Sequence, residues 1–278
     1  EFDTASIWEC SGSKLKNKWS MDYPKSLGLF YSAMTDRVGL KANEDEYILM
    51  GMVAYGDPEK YYDEVRNLWK SENLHRGCRW WRPDDGDLDI YSVAAATQKV
   101  YEEEFEKLLI RAKMKDASQD NLVLMGGCAL NCSANHIARK YFENVWIMPN
   151  PGDSGSSLGA IAANNRQKLN WKGPYLGADM GGEYPVEKLL TELHKASIVG
   201  VANGQAEFGP RALGNRSILA NPVSCHLPAT TEHPTSHHYT HSQISESHQE
   251  STGVSDTWNA LISKYDSQIL KPNAHKLH

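Results

Sequence analysis

The sequence predicts an α/β fold. Two observations carry that expectation: the unit strand, glycine turn, helix occurs twice in succession, and a long amphipathic helix precedes the first of them. The first unit runs from the apolar stretch Asn121–Met125 through Gly126-Gly127 to a helix over Ala134–Phe142. The second runs from Val145-Trp146-Ile147-Met148 through Pro149-Asn150-Pro151-Gly152-Asp153 to a helix over Leu158–Lys168, with Ser154-Gly155-Ser156-Ser157 as its cap. In such sheets ligands bind beyond the carboxyl ends of the strands, which is where both glycine-marked loops fall.

The elements follow in order. Residues 1–60 combine small and large apolar groups around Ser26–Met34 and Tyr47–Met52, and Tyr55-Gly56-Asp57-Pro58 reads as a turn. Residues 60–90 are polar, with Trp80-Trp81 and a turn-rich Pro83–Asp87, and read as an insertion or surface segment. Ser92–Lys115 is the clearest helix: Val93, Ala96, Val100, Tyr101, Phe105, Leu108, Leu109 and Ala112 recur at helical spacing. Gly173–Tyr184 is glycine-rich and reads as a linker. A helix over Val186–Ala196 and a strand over Ile198–Ala202 lead into Gln205–Ser217.

Beyond Pro222 the character changes. All of the eleven histidines except His75, His136 and His194 lie there, and hardly an apolar pair occurs before Trp258. That is the composition of a disordered tail. His237-His238-x-x-His241 could bind stray metal, with a polar disordered tract as the plainer reading.

Bulk properties narrow the function classes. A formal charge of −6 and a pI near 6 argue against a nucleic-acid binder. No apolar run approaches the roughly 18 residues of a membrane span, and the N-terminus has no signal-peptide pattern. Five cysteines (Cys10, Cys78, Cys128, Cys132 and Cys225) do not make a secreted disulfide framework. The expected setting is therefore cytoplasmic, and the missing initial Met suggests a chain that begins inside a longer protein.

Three stretches could carry chemistry. In Met125-Gly126-Gly127-Cys128-Ala129-Leu130-Asn131-Cys132, Cys128 could be a thiol nucleophile with His136 as base. Cys128, Cys132 and His136 at i, i+4, i+8 could instead offer soft metal ligands on one helical face. A third reading is a nucleotide cradle, in which Gly126 and Gly127 let the backbone approach a phosphate and Asn131 donates and accepts; a plain tight turn fits the glycines equally well. In Pro151-Gly152-Asp153-Ser154-Gly155-Ser156-Ser157, Asp153 suits a cation beside phosphates, or it simply caps the next helix. In Gly209-Pro210-Arg211-Ala212-Leu213-Gly214-Asn215-Arg216-Ser217, the two arginines can grip a phosphate or carboxylate, or form an ordinary surface pair.

Together, MGGCALNC, PNPGDSGSSLGA and GQAEFGPRALGNRSIL resemble the O-carbamoyltransferase family that includes nodulation-factor, cephalosporin and tobramycin carbamoyltransferases. Residues 24–58 are similar to the same family, so the likeness spans roughly residues 1–222. The resemblance implies an actin/hexokinase-type (ribonuclease H-like) ATPase domain, partial here, over 1–172. A linker at 173–184 and the start of a second, carbamoyl-adenylate-forming α/β domain at 185–222 follow, with an atypical, disordered or frame-shifted tail at 223–278. It implies transfer of a carbamoyl group from carbamoyl phosphate, through carbamoyl-adenylate made with ATP, to a hydroxyl of a small-molecule acceptor, with no nucleic-acid or membrane partner. By the same resemblance Gly126, Gly127, Asn131 and Gly152 contact the nucleotide, and Arg211, with Arg216 as the weaker assignment, grips carbamoyl phosphate. Asp153 ligates a divalent metal, Fe2+ with Mg2+ as the alternative. The family's His-x-x-x-His metal pair and Asp-Gly-x-Gly-Glu loop would precede this chain, Glu1 looking like the last residue of that loop. The chain therefore reads as an internal fragment, expected to be inactive alone. A non-catalytic nucleotide-binding remnant is the alternative, and a thiol acyltransferase built on Cys128 is another.

Overall fold

The computed structural model describes residues 3–71, 73–78, 88–166, 168–196 and 198–221, which form two compact units divided after Ile147. The predicted tail, Trp80-Trp81 and Pro83–Asp87 lie outside the described residues.

The first unit opens with a hairpin. Strands β1 (Asp3–Ser11) and β2 (Lys14–Asp22) pair antiparallel, and Ser11 faces Lys14 across a two-residue turn with Gly12 at φ 60°. Helix α1 (Leu27–Arg37) starts where the Ser26 hydroxyl accepts a hydrogen bond from the Leu29 N–H at 3.2 Å. Its Phe30 and Met34 are fully buried, each such side chain contributing ~2 kcal/mol relative to exposure. Helix α2 (Glu46–Met52) adds Ile48, Leu49 and Met52 to the same core.

Helix α3 (Tyr62–Ser71) corrects the reading of 60–90 as a surface segment. Val65, Leu68 and Trp69 fall at i, i+3 and i+4, so one narrow face of a mostly polar stretch is buried in the core. The 26-residue helix α4 (Ile90–Lys115) runs through that core, with Asp89 capping its first turn by accepting from the Ser92 N–H at 3.1 Å. Strands β3 (Asn121–Leu124) and β4 (Asn144–Ile147) pair in parallel and in register, as the repeated strand–turn–helix pattern predicts. Their carboxyl ends, Leu124 and Ile147, therefore lie at one edge of the pair.

The connection between these strands departs from expectation. The predicted helix over 134–142 is replaced by a 3-10 turn (Gly127–Leu130), one turn of helix α5 (Cys132–Asn135) and another 3-10 segment (His136–Lys140). Cys, Ser and Asn are weak helix formers, and the Asn135 amide turns back to donate to the Ala129 carbonyl at 2.8 Å.

The second unit contains helix α6 (Ser156–Asn165), strand β5 (Tyr175–Asp179), helix α7 (Val186–Ala196), and strands β6 (Ile198–Ala202), β7 (Gln205–Glu207) and β8 (Arg216–Ala220). The pairs β5–β7 and β6–β8 are both antiparallel. Strand β5 occupies the middle of the stretch read as a linker, where it pairs with β7. A small core of Leu189, Val199 and Val201, flanked by Leu193 and Leu219, joins α7 to β6 and β8.

Candidate active site

The loop after β3 is built by side chains that reach it from elsewhere in the first unit. Gly126 takes a left-handed φ of 95°, and Gly126 and Gly127 are both exposed. The Tyr101 hydroxyl donates to the Cys128 carbonyl at 3.1 Å. Asn131, only 8% exposed, has its amide engaged with the protein. Its oxygen accepts from the Ala134 N–H (3.0 Å) and from Gln98 Nε2 (3.1 Å), and its nitrogen donates to Gln98 Oε1 (3.0 Å). Of the residues expected to contact a nucleotide here, the two glycines present open backbone, whereas Asn131 points inward and shapes the loop.

The cysteines are packing residues. Cys128 and Cys132 lie partly buried, Cys128 against the main core and Cys132 Sγ 3.9 Å from Met50 Sδ. Burial pushes the Cys128 thiol up and outweighs the hydrogen bond with Tyr101, with Glu46 adding to the rise. A raised thiol holds little thiolate at neutral pH, so the nucleophile reading loses its activation. The i, i+4, i+8 ligand face also fails, because the segment is not one continuous helix. Among the described residues no three His, Cys, Asp or Glu side chains are placed to hold a metal. We predict that a soluble alkylating reagent labels exposed Cys10 at least about tenfold faster than Cys128 in the native chain. Equal labelling rates by mass spectrometry would contradict the burial argument.

In the second unit, the Pro149–Ser157 loop folds on itself. The Ser154 hydroxyl donates to Asn150 Oδ1 at 3.0 Å, Ser156 to the Asp153 carbonyl at 2.6 Å and Ser157 to the Ser154 carbonyl at 2.9 Å. The expected serine cap of the following helix is therefore not formed: Gly155 is the N-cap of α6, and the hydroxyls bond backward instead. Gly155 is required by space, since a Cβ there would sit 1.8 Å from the Asn150 carbonyl oxygen. Gly152 is half-buried in extended backbone, and Asp153 is exposed in the 3-10 turn that follows. One exposed carboxylate does not hold a cation against water, so a metal role for Asp153 requires ligands beyond the described residues.

The Phe208–Asn215 loop lies against this one. Gly209 has a φ of 140°, and a Cβ there would fall 2.1 Å from the Pro149 carbonyl oxygen. The loop is organised by Glu207, a residue that sequence reasoning did not single out. Its side chain is completely buried and accepts from the Leu213 and Asn215 N–H groups, both at 2.8 Å, and from Arg216 Nε at 2.7 Å. Burial would raise its carboxyl, but Arg216 and those N–H groups outweigh burial and hold it below the usual carboxylate range. The signal in the sequence is one acid two residues before the Gly209-Pro210 turn, in a segment with two arginines.

Arg216 closes the arrangement by donating from Nη2 to the Gly209 carbonyl at 2.9 Å. Its guanidinium thus braces the loop itself through Nε and Nη2. Arg211 is half-buried on the same loop.

These loops coincide with matches to known proteins. Residues 1–162, more than half of the chain, match the family model described as carbamoyltransferase N-terminus, and residues 190–233 match the carbamoyltransferase C-terminus. The chain belongs to the carbamoyltransferase family. It is 32% identical over 285 aligned residues to the uncharacterized protein sll1178 of Synechocystis, covering 80% of this chain and 46% of that one. It is 28% identical to nodulation protein NolNO of Sinorhizobium fredii, covering 80% of this chain and 38% of that protein. Nodulation protein U of Azorhizobium caulinodans is 38% identical over 116 residues, which are 36% of this chain and 21% of that one. This carbamoyltransferase-family chain thus spans less than half the length of these relatives. No described helix is long and apolar enough to cross a membrane.

Proposed function

We propose that the chain is part of an ATP-dependent O-carbamoyltransferase that passes a carbamoyl group from carbamoyl phosphate, through carbamoyl-adenylate, to a hydroxyl of a small-molecule acceptor. The reading assigns residues 1–172 to a partial actin/hexokinase-type ATPase domain and residues 185–222 to the start of the carbamoyl-adenylate-forming domain, in a cytoplasmic protein. The observation that carries it is the seating of the Phe208–Asn215 loop on the Pro149–Ser157 loop through Gly209 and Pro149, which brings together two of the three motifs of the family. Such an arrangement suits a small, anionic, carbonyl-bearing substrate. Arg211 is the guanidinium assigned to its phosphate, and Gly152 belongs to the facing loop.

The exposed Gly126-Gly127 turn is the proposed phosphate contact for ATP, made through backbone that no side chain covers. This assignment does not need a helix N-terminus, because the helical segments after the turn are single turns. When bound, a divalent cation, Fe2+ or Mg2+, would polarise the carbonyl and stabilise the leaving phosphate. In this reading Asp153 supplies one ligand to it, and the remainder come from outside the described residues.

The reading is tested on the complete protein that contains this chain. Carbamoyl transfer to an alcohol should require both carbamoyl phosphate and ATP. We predict that Asp153→Asn lowers transfer by about a hundredfold or more and reduces bound metal in parallel. Full activity with full metal content would remove Asp153 from the ligand set.

A further inference from the structure

Gln98 is 3% exposed in the third turn of α4. A buried amide is costly unless every polar group is paired, and here each one is. Its Oε1 accepts from the Tyr31 hydroxyl at 2.8 Å and from Asn131 Nδ2 at 3.0 Å. Its Nε2 donates to Glu102 Oε1 at 2.8 Å and to Asn131 Oδ1 at 3.1 Å. Gln98 and Asn131 therefore form a closed amide-to-amide pair across 33 residues of sequence. One turn further along α4, Tyr101 holds the Cys128 carbonyl. Two successive turns of one rigid helix thus grip the loop from beneath, while its glycines stay open above.

We propose that Gln98 is a positioning residue for ligand binding at the Gly126–Asn131 loop: its pairing with Asn131 sets the loop backbone that receives a nucleotide phosphate. The inference rests on the nucleotide reading of that loop. The physical reason is directional. An apolar side chain of similar volume could fill the space, but only an amide with two donors and two acceptors fixes Asn131 in one orientation. Asn131 in turn holds the Ala134 N–H and sets where the chain leaves the glycine turn. Tyr31 and Glu102 lock Gln98 itself, so the loop conformation is set by residues on α1 and α4 that need not touch the ligand.

The test uses the complete protein that contains this chain and two variants of it. Gln98→Met keeps the length and removes every hydrogen bond; Gln98→Glu keeps both acceptors and loses both donors. Two quantities are read at a temperature where circular dichroism shows all forms folded: amide hydrogen exchange of residues 126–131, and ATP dissociation constants from fluorescence titration. The expected result is about tenfold faster exchange in the loop, unchanged exchange along α4, and at least about tenfold weaker ATP binding for Gln98→Met. Gln98→Glu, whose buried carboxylate would face Glu102 Oε1 and Asn131 Oδ1 with no donor between them, should loosen the loop at least as much. A lowered melting temperature with unaltered loop exchange and unaltered ATP affinity would mean that Gln98 only fills the core, overturning the proposal. If the native complete protein binds no ATP, the nucleotide reading of the loop falls, and the loop exchange still decides whether Gln98 positions it.

Discussion

Replacing Glu207 by Ala is expected to release the Phe208–Asn215 loop and to destabilise the second unit by about 3 kcal/mol. The size follows from what is left behind. Arg216, with 29% of its side chain exposed, loses the carboxylate that neutralises it, and the Leu213 and Asn215 N–H groups lose their acceptor together. Breaking a buried ion pair from one side costs more than the pair contributes, because the surviving charge and donors remain desolvated. Amide exchange at Leu213 and Asn215 should rise by about two orders of magnitude; unchanged protection there would refute Glu207 as the organiser.

The same carboxylate predicts an acid response of definite sign. Its folded pKa lies below the usual value, so its stabilisation is present above the ordinary Glu range, ~4.3, and is lost as pH falls through the lower folded value. Native loop protection, corrected for intrinsic exchange, should therefore fall on acidification below about pH 4. In Glu207→Gln, which cannot ionise, that dependence should disappear.

The second large effect is steric. Gly209→Ala places a methyl group 2.1 Å from the Pro149 carbonyl oxygen at a φ of 140°, which side chains other than glycine's rarely adopt. No rotamer relieves this, since the Cβ position is set by the backbone. The loop must move away from Pro149 or the unit must bear a strain of about 3 kcal/mol. In the complete protein, displacement of the Arg211-bearing loop should raise the apparent KM for carbamoyl phosphate more than that for ATP. Equal KM values for mutant and native protein would separate this loop from carbamoyl phosphate binding.

Legibility differed by element for physical reasons. The helix Val186–Ala196 and the strand Ile198–Ala202 have the bounds that the sequence predicts, because the change from helical to alternating spacing is local. The helix α4 was equally plain from its apolar spacing. By contrast, α3 hid behind its own polarity, since three buried positions suffice to anchor it while the rest faces water. The hairpin of residues 3–22 carried its signal in one Gly-Ser turn rather than in apolar alternation.

What the sequence determined by itself was the α/β character, the order of three glycine-marked loops and membership of the carbamoyltransferase family, all properties of neighbouring residues read along the chain. Only the tertiary structure decided which polar side chains within those loops face outward. Asn131 turns in because Gln98, 33 residues earlier, offers it a complete amide partner. Arg216 turns in because Glu207 is sealed from water nine residues before it. A buried polar group must find its partner wherever the fold brings one, and that choice is invisible until distant segments meet.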